Sequence, residues 1–408
     1  MAATLLQIEG FDILADAANL TAKGYTNGSY ATRDVVAGRY EGSALRLRYQ
    51  EVFTAGSPNI SNLYCPRTSR TMITSGTQLE GCVGFAFKTD NFAIGSLSAI
   101  NPPNSQIFFN LKWDSKPQIA LGVQSGYITV YRGGEFYSAD AIPVPDSPPF
   151  SNMVAYYRDY YAIQGQETGI LTRSDVPALA TGVYAYIELE YKLHHTSGYV
   201  NLYVDRRQFA SYTGNTVPFA SSIINNYEFN ASPASFVKTS YVPAEYSGVN
   251  GYWINNHFDD FYHSLTTASG DHYGPSRIKS IRTTGVYVKQ WVNTGGTSES
   301  VINSNDGDTS YVEDDGLNTF DYHGVQHFTP SASGDIKGIC EISVAKGNGL
   351  IIGQLVNITG INYIGGTNHT LTASYLYYEN LWRKKPNFET DWTWYDVAGN
   401  YWGYKRLT

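Results

Sequence analysis

Charge is what this chain has least of. Asp, Glu, Lys and Arg make up 16% of its 408 residues, against roughly 25% in an ordinary soluble domain. The formal net charge is -8 and the pI about 5.5, so no electrostatic footprint for nucleic acid is visible. Cysteine is nearly absent too: Cys65, Cys82 and Cys340, an odd number with no CxxC spacing, exclude a disulfide framework and a zinc site. A single Cys65–Cys82 bridge stays open beside the preferred reading of buried free thiols. No stretch reaches the roughly 18 apolar residues that span a membrane. The opening Met-Ala-Ala-Thr-Leu-Leu-Gln lacks a basic region and a long apolar run, so no secretory signal is expected. Helical periodicity is scarce: Asp175–Ala180 suggests one turn and little else does. No fixed repeat is present, which sets solenoids and propellers aside.

What is abundant is glycine and aromatic side chains, with Gly 39, Tyr 34 and Phe 18. Aromatic and β-branched residues fit a pleated, half-buried surface, and low charge with many aromatics argues against disorder. Strict alternation marks Ala44–Tyr49, Tyr184–Leu193 and Gly198–Asp205, the last two read as a hairpin across His194-His195-Thr-Ser. Gln118–Val123 leads through Gln124-Ser-Gly126 into Tyr127–Tyr131, a second hairpin signal. Further strands are expected at Gly84–Lys88, Gln106–Trp113, Tyr252–Tyr262, Gly338–Val344, Leu350–Val356 and Thr370–Glu379. Short strands separated by turn signals predict an all-β protein of two antiparallel, jelly-roll-like β-sandwich domains. The expected domains are 1–270 and 276–408, divided where turn-formers cluster at Ser269–Ser276. Residues 138–169 differ in composition: four prolines in Ala141–Phe150, then four tyrosines in Tyr156–Tyr161. They read as a long surface excursion within the first domain.

Residues that could carry chemistry are few. Asp306-Gly-Asp308 resembles a calcium loop in composition, but Gly307 falls where a ligand belongs and no Glu closes the loop, so an Asx-stabilised turn is expected. Asp259 and Asp260 are adjacent on a strand, and alternation sends them to opposite faces. Glu188 and Glu190 share a face, as the carboxylates of some glycosidases do. A solvated face, paired across strands to Lys192 or Arg207, is the reading preferred for them. His194-His195 has no third ligand nearby. Gly295-Gly-Thr and Gly365-Gly-Thr read as turns. No catalytic, cofactor or metal residue is therefore assigned, and no cofactor is expected. The candidate interaction surface is aromatic: Tyr156, Tyr157, Tyr160 and Tyr161, with Trp382, Trp392 and Trp394 near the C-terminus. A loop packed onto its own sandwich is an equally good reading of the tyrosines.

Two sets of short motifs carry a family resemblance. Ile8-Glu-Gly-Phe-Asp12, Gly38–Leu47, Tyr184–Glu190, Gly198–Asp205 and Phe258-Asp-Asp-Phe-Tyr262 resemble, in order, the strands of concanavalin-A/laminin-G-like jelly rolls found in phage proteins. Glu41 replaces the first of the paired glycines of the second motif. Asp306–Val312, Ile336–Val344 and Trp382–Trp394, with the tail Trp402-Gly-Tyr-Lys405, resemble a C-terminal β-sandwich module of tailed-bacteriophage virion proteins. The resemblance implies a non-enzymatic head, neck or tail component, fibre or decoration, made in the bacterial cytoplasm and located in the virion. Its partners would be other virion proteins and further copies of itself, with a trimer expected by analogy with fibres. The alternative reading is an adhesin that recognises host surface glycans. Jelly-roll glycosidases resemble E-[IL]-D-x-x-E at their carboxylates; Leu189-Glu190 departs from it, so no enzyme activity is expected.

Overall fold

In a computed structural model the protein is all-β, built from antiparallel sheets. The structure describes residues 3–408 except 13, 15–17, 28–31, 53–66, 73–78, 91–104, 115, 134–135, 138–141, 144–152, 160–169, 218–223, 234, 240–249, 267–269, 271, 298–299, 301–310, 315, 326–334, 350, 360–361 and 387–388. Cys65 and residues 306–308, where a turn was expected, lie outside the described residues. The chain divides into two compact units: 1–17 with 25–278, and 18–24 with 279–408.

Unit 1 is a sandwich of two sheets. In the eight-stranded sheet the order is Arg207–Gly214, Gly198–Val204, Ala185–Lys192, Glu80–Thr89, Asn250–Leu265, Ser43–Val52 and Thr32–Ala37, with Thr4–Glu9 also paired to Asn250–Leu265. The seven-stranded sheet runs Ile170–Arg173, Tyr127–Arg132, Lys116–Gln124, Ser105–Trp113, Asn226–Pro233, Arg67–Thr71 and Tyr25–Asn27. Alternation explains what lies between them: Phe85, Phe87, Phe108, Phe109, Phe229, Phe258 and Phe261 are fully buried. Phe87 stacks on Phe108 at 4.3 Å, Tyr227 on Phe261 at 4.3 Å, and Phe229 meets Phe258 at 4.6 Å. Rings in such offset and edge contacts add to the burial of their area.

Both expected hairpins form. Ala185–Lys192 pairs with Gly198–Val204 from Ile187↔Val204 to Lys192↔Tyr199. Lys116–Gln124 joins Tyr127–Arg132 through Ser125 (φ 49°) and Gly126 (φ 85°), two left-handed residues in succession, which suits a two-residue hairpin turn. The Ile8–Asp12 motif locks the start of the chain. Glu9 accepts bonds from Phe11 N at 3.1 Å and Tyr25 Oη at 3.2 Å and pairs with Arg70 at 3.2 Å, while Asp12 accepts from Ser43 N at 2.7 Å.

Of residues 138–169 the structure describes 142–143 and 153–159, and both stretches are strands. Met153–Asp159 pairs antiparallel with Phe136–Tyr137, Ile142–Pro143 and Ser235–Thr239 in a small four-stranded sheet.

Unit 2 has a five-stranded sheet in the order Thr283–Lys289, Phe320–Val325, Tyr401–Arg406, Ile352–Thr359 and Asn362–Thr370, plus the pairs Ile339–Ala345 with Leu376–Trp382 and Val292–Thr294 with Tyr311–Glu313. Gly365 and Gly366, read above as a turn, lie inside the Asn362–Thr370 strand. Cβ atoms there would strike the Gln354 and Asn380 side chains, so the glycines serve close packing. A short helix, Trp394–Gly399, starts at a capping box in which Thr393 and Asp396 satisfy each other's backbone N–H groups. Lys23 pairs with Glu379 at 3.5 Å within this unit.

Candidate functional site

On the seven-stranded sheet, Tyr227 and Phe229 enter the core, so Glu228 and Asn230 project from the opposite face. The neighbouring strand places Asn110 directly across from Glu228, and Lys112 across from Asn226. Lys112 Nζ meets Glu228 Oε2 at 2.8 Å, Asn110 Nδ2 donates to Glu228 Oε1 at 2.8 Å, and Asn230 Nδ2 approaches the same oxygen at 3.4 Å. All four residues are buried, and the Asn110 amide oxygen has no hydrogen-bond partner. Beside them Ile107, Ala120 and Tyr131 form an apolar patch. At the strand ends Asp114 and Asn225 exchange two bonds, at 2.7 and 2.8 Å, and Asn226 adds a third at 2.8 Å. The face thus combines one ion pair, several amides and an apolar patch.

The outer face of the eight-stranded sheet carries Glu188 and Glu190. They share a face, as alternation predicts, but they are not solvated and bind neither Lys192 nor Arg207. Both are fully buried. Glu188 accepts from Tyr262 Oη at 2.5 Å and Gly274 N at 2.8 Å and meets His272 Nδ1 at 3.1 Å. Glu190 accepts from Gly270 N at 2.8 Å, Asn201 Nδ2 at 3.0 Å and Tyr203 Oη at 3.3 Å. Lys192 instead pairs with Glu80 at 3.3 Å. The missed signal was the Gly-rich stretch after the last strand, which supplies the donors. Gly84 is required here, because a Cβ would stand 2.2 Å from the Tyr262 ring.

Asp259 and Asp260 are also corrected. Asp260 takes φ 51°, and the register shifts between Asp259 and Tyr262. This bulge breaks the alternation and brings the two carboxyls into one electrostatic neighbourhood. Asp259 Oδ1 accepts from Asp260 N at 2.8 Å and its Oδ2 from Arg39 N at 2.8 Å, while Asp260 Oδ1 accepts from Ile278 N at 2.7 Å. Burial raises both carboxyl pKa values, and the Asp260 charge adds to the rise at Asp259. His194 Nδ1 accepts from Thr196 N at 3.1 Å and Ser197 N at 3.0 Å, which makes it a turn cap. His263 is pushed down to about 3 by burial, and its Nε2 lies 3.1 Å from Tyr191 Oη. Among the described residues no group of three or more His, Cys, Asp or Glu side chains is placed to hold a metal ion.

The aromatic candidates separate. Tyr156 and Tyr157 lie in the Met153–Asp159 strand, opposite Phe236 and Ser235; Tyr160 and Tyr161 lie outside the described residues. Trp382 and Trp392, 9% and 3% exposed, are core residues with Val325, Val397 and Trp402. They cannot supply a contact surface. Their indole N–H groups are spent internally, on Glu341 and on the Trp382 carbonyl, at 3.0 Å each. Trp394 opens the short helix half-buried, and the following Tyr395 is 91% exposed.

No family model matches the sequence, and no curated protein does. Among solved structures, similarity is found to a sialidase, 14% identical at a TM-score of 0.37, over 65% of this chain and 19% of that one. It is also found to an endo-β-1,4-glucuronan lyase from the fungus Trichoderma reesei, 12% identical at 0.36, over 60% of this chain and 95% of that one. The alginate lyase Aly36B follows, 9% identical at 0.35, over 65% and 98%. The chain thus spans about a fifth of the sialidase it resembles. These proteins are enzymes by name, and this finding overturns the expectation that the chain is not an enzyme. Likeness at this level supplies no reaction, substrate or catalytic residue for this chain.

Proposed function

We propose that unit 1 recognises carbohydrate through the outer face of its seven-stranded sheet, and that the chain does so as a virion component contacting host surface glycans. The observation that carries the recognition is the buried Lys112–Glu228 pair with Asn110 and Asn230, beside Ile107, Ala120 and Tyr131. A buried ion pair is weak as a source of stability, because desolvation offsets most of its attraction. An apolar quartet of the same volume would hold this face at least as well. Buried as they are, these groups hold the face in place, and the ones that meet a polyhydroxylated ligand are the exposed Asp114 with the half-buried Asn225, Asn226 and Tyr131 beside them. The virion setting rests on the sequence motifs Ile8–Asp12, Phe258–Tyr262 and Asp306–Val312.

The test is a glycan array together with a depolymerisation assay on the glycans bound. The wild type is expected to bind a defined set of glycans. K112M/E228Q, which removes both charges at similar volume, is expected to lose binding while keeping its Tm within a few degrees. Cleavage of a bound glycan would add a reaction to the recognition. Absence of binding to every glycan, or full binding by the double variant, would overturn the assignment.

A further inference from the structure

Gly270 and residues 272–278, which follow the last strand of unit 1 in sequence, lie against the outer face of the eight-stranded sheet. Their backbone N–H groups end on carboxylates: Gly270 on Glu190, Gly274 on Glu188 and Ile278 on Asp260, at 2.8, 2.8 and 2.7 Å. Tyr273 N bonds Tyr262 Oη at 3.3 Å, and Tyr273 Oη bonds the Ala3 carbonyl at 2.7 Å. At the centre the His272 ring stacks on Tyr203, centroids 4.3 Å apart and planes 25° apart, with Nδ1 on Glu188 Oε2. We propose that this segment is a pH-responsive strap, pinned over the sheet by protonated His272 against the buried Glu188 and loosened when that proton leaves.

Geometry supplies the argument. Glu188 is fully buried, and its contacts are the Tyr262 hydroxyl, the Gly274 amide and His272. A buried carboxylate bound by neutral donors alone is costly, and an imidazolium in contact offsets that cost. Glu188 and Glu190 from Ala185–Lys192 and Tyr203 from Gly198–Val204 act on His272; beyond Glu188 stand Tyr262 from Asn250–Leu265, which donates to it, and Cys82 from Glu80–Thr89, whose Sγ lies 3.5 Å from Tyr262 Oη. Arg206, in the turn before Arg207–Gly214, lies beside Gly274; Asp271 is outside the described residues.

The direction follows from linkage. The hydrogen bond to Glu188 raises the His272 pKa first, with the charges of Glu188 and Glu190 adding and burial opposing. A histidine raised in the folded state stabilises it fully below the unfolded pKa, and that stability is lost as pH rises through the folded value. Asp260, under Ile278, is raised by burial. The Ile278 N–H itself favours the charged carboxyl, so this contact adds nothing to the His272 response.

Hydrogen exchange of the full chain, corrected for intrinsic rates, tests this over the window from about pH 5 to about pH 8 in which histidine titrates. The 270–278 amides should be at least about threefold better protected at the acid end, with Glu80–Thr89 as the internal reference. H272F keeps the ring over Tyr203 and removes the titration; its protection should be low and much flatter with pH. Should H272F fail to fold, H272Q takes the same measurement. Equal wild-type protection at both ends, or a variant that keeps the wild-type pH response, would overturn the strap.

Discussion

Glu341 receives the Trp382 indole N–H at 3.0 Å and the Gly403 N–H at 3.2 Å. These donors favour its charged form, yet burial outweighs them and pushes its pKa up to about 8. A carboxyl raised on folding binds its proton more tightly in the native state, so the stability it lends at low pH is lost as pH climbs from its unfolded value toward about 8. The Tm of wild-type unit 2 should therefore fall over that range. E341Q mimics the protonated acid; it should match the wild type below about pH 4.5 and exceed it by a margin that grows toward about pH 8, as calorimetry would show. Nearby, W392A should cost about 3–5 kcal/mol, as for other large core truncations, read as a lowered urea midpoint. Loss of partner binding with an unchanged midpoint would instead mark Trp392 as a contact residue. The tryptophans were visible in the sequence, but their burial was not. It depends on Val325 and Trp402 arriving from other strands, which no local pattern encodes.

Among the elements, the hairpins were legible because alternation and turn chemistry agreed. Ser125-Gly126 illustrates this: Gly126 sits at φ 85°, and a Cβ there would stand 2.7 Å from the Leu179 carbonyl oxygen. G126A should destabilise by about 1 kcal/mol or more, whereas S125N, which suits the left-handed turn, should stabilise by a few tenths; chemical denaturation of both checks the pair. Met153–Asp159 was less legible, because prolines before it and tyrosines on both parities hide any period-2 signal. The Asp259-Asp260 bulge was illegible for a related reason. Alternation is a rule about regular strands, and one residue at positive φ cancels it.

For the whole molecule, the low surface charge still points to assembly, and we expect a homo-oligomer, with a trimer the stoichiometry anticipated from the sequence. With Trp382 and Trp392 buried, Tyr395 at 91%, Tyr287 at 54% and Tyr363 at 42% are the exposed aromatic rings among the described residues of unit 2. Y395S with Y287S should weaken association in analytical ultracentrifugation without lowering the Tm; a wild-type monomer at micromolar concentration would refute it. The placement of the unit boundary has its own consequence. Turn-formers between Ser269 and Ser276 marked the division between the expected domains. Glycine and proline report backbone freedom and say nothing of what holds the backbone, and here Glu188, Glu190 and Asp260 hold it. Freeing the segment would take the Gly274 N–H and His272 from Glu188 and the Gly270 N–H from Glu190, and each lost donor to a buried carboxylate costs roughly 1–3 kcal/mol. At about pH 6, within the range in which His272 keeps its proton, chymotrypsin should consequently spare Tyr273 in the native chain, while trypsin cuts beyond the strap at the exposed Lys279 or Arg282, at the start of the 279–408 part of unit 2. Mass mapping of the first fragments decides it. Early cleavage after Tyr273 would show that the bonds to Glu188 and Glu190 do not hold in solution.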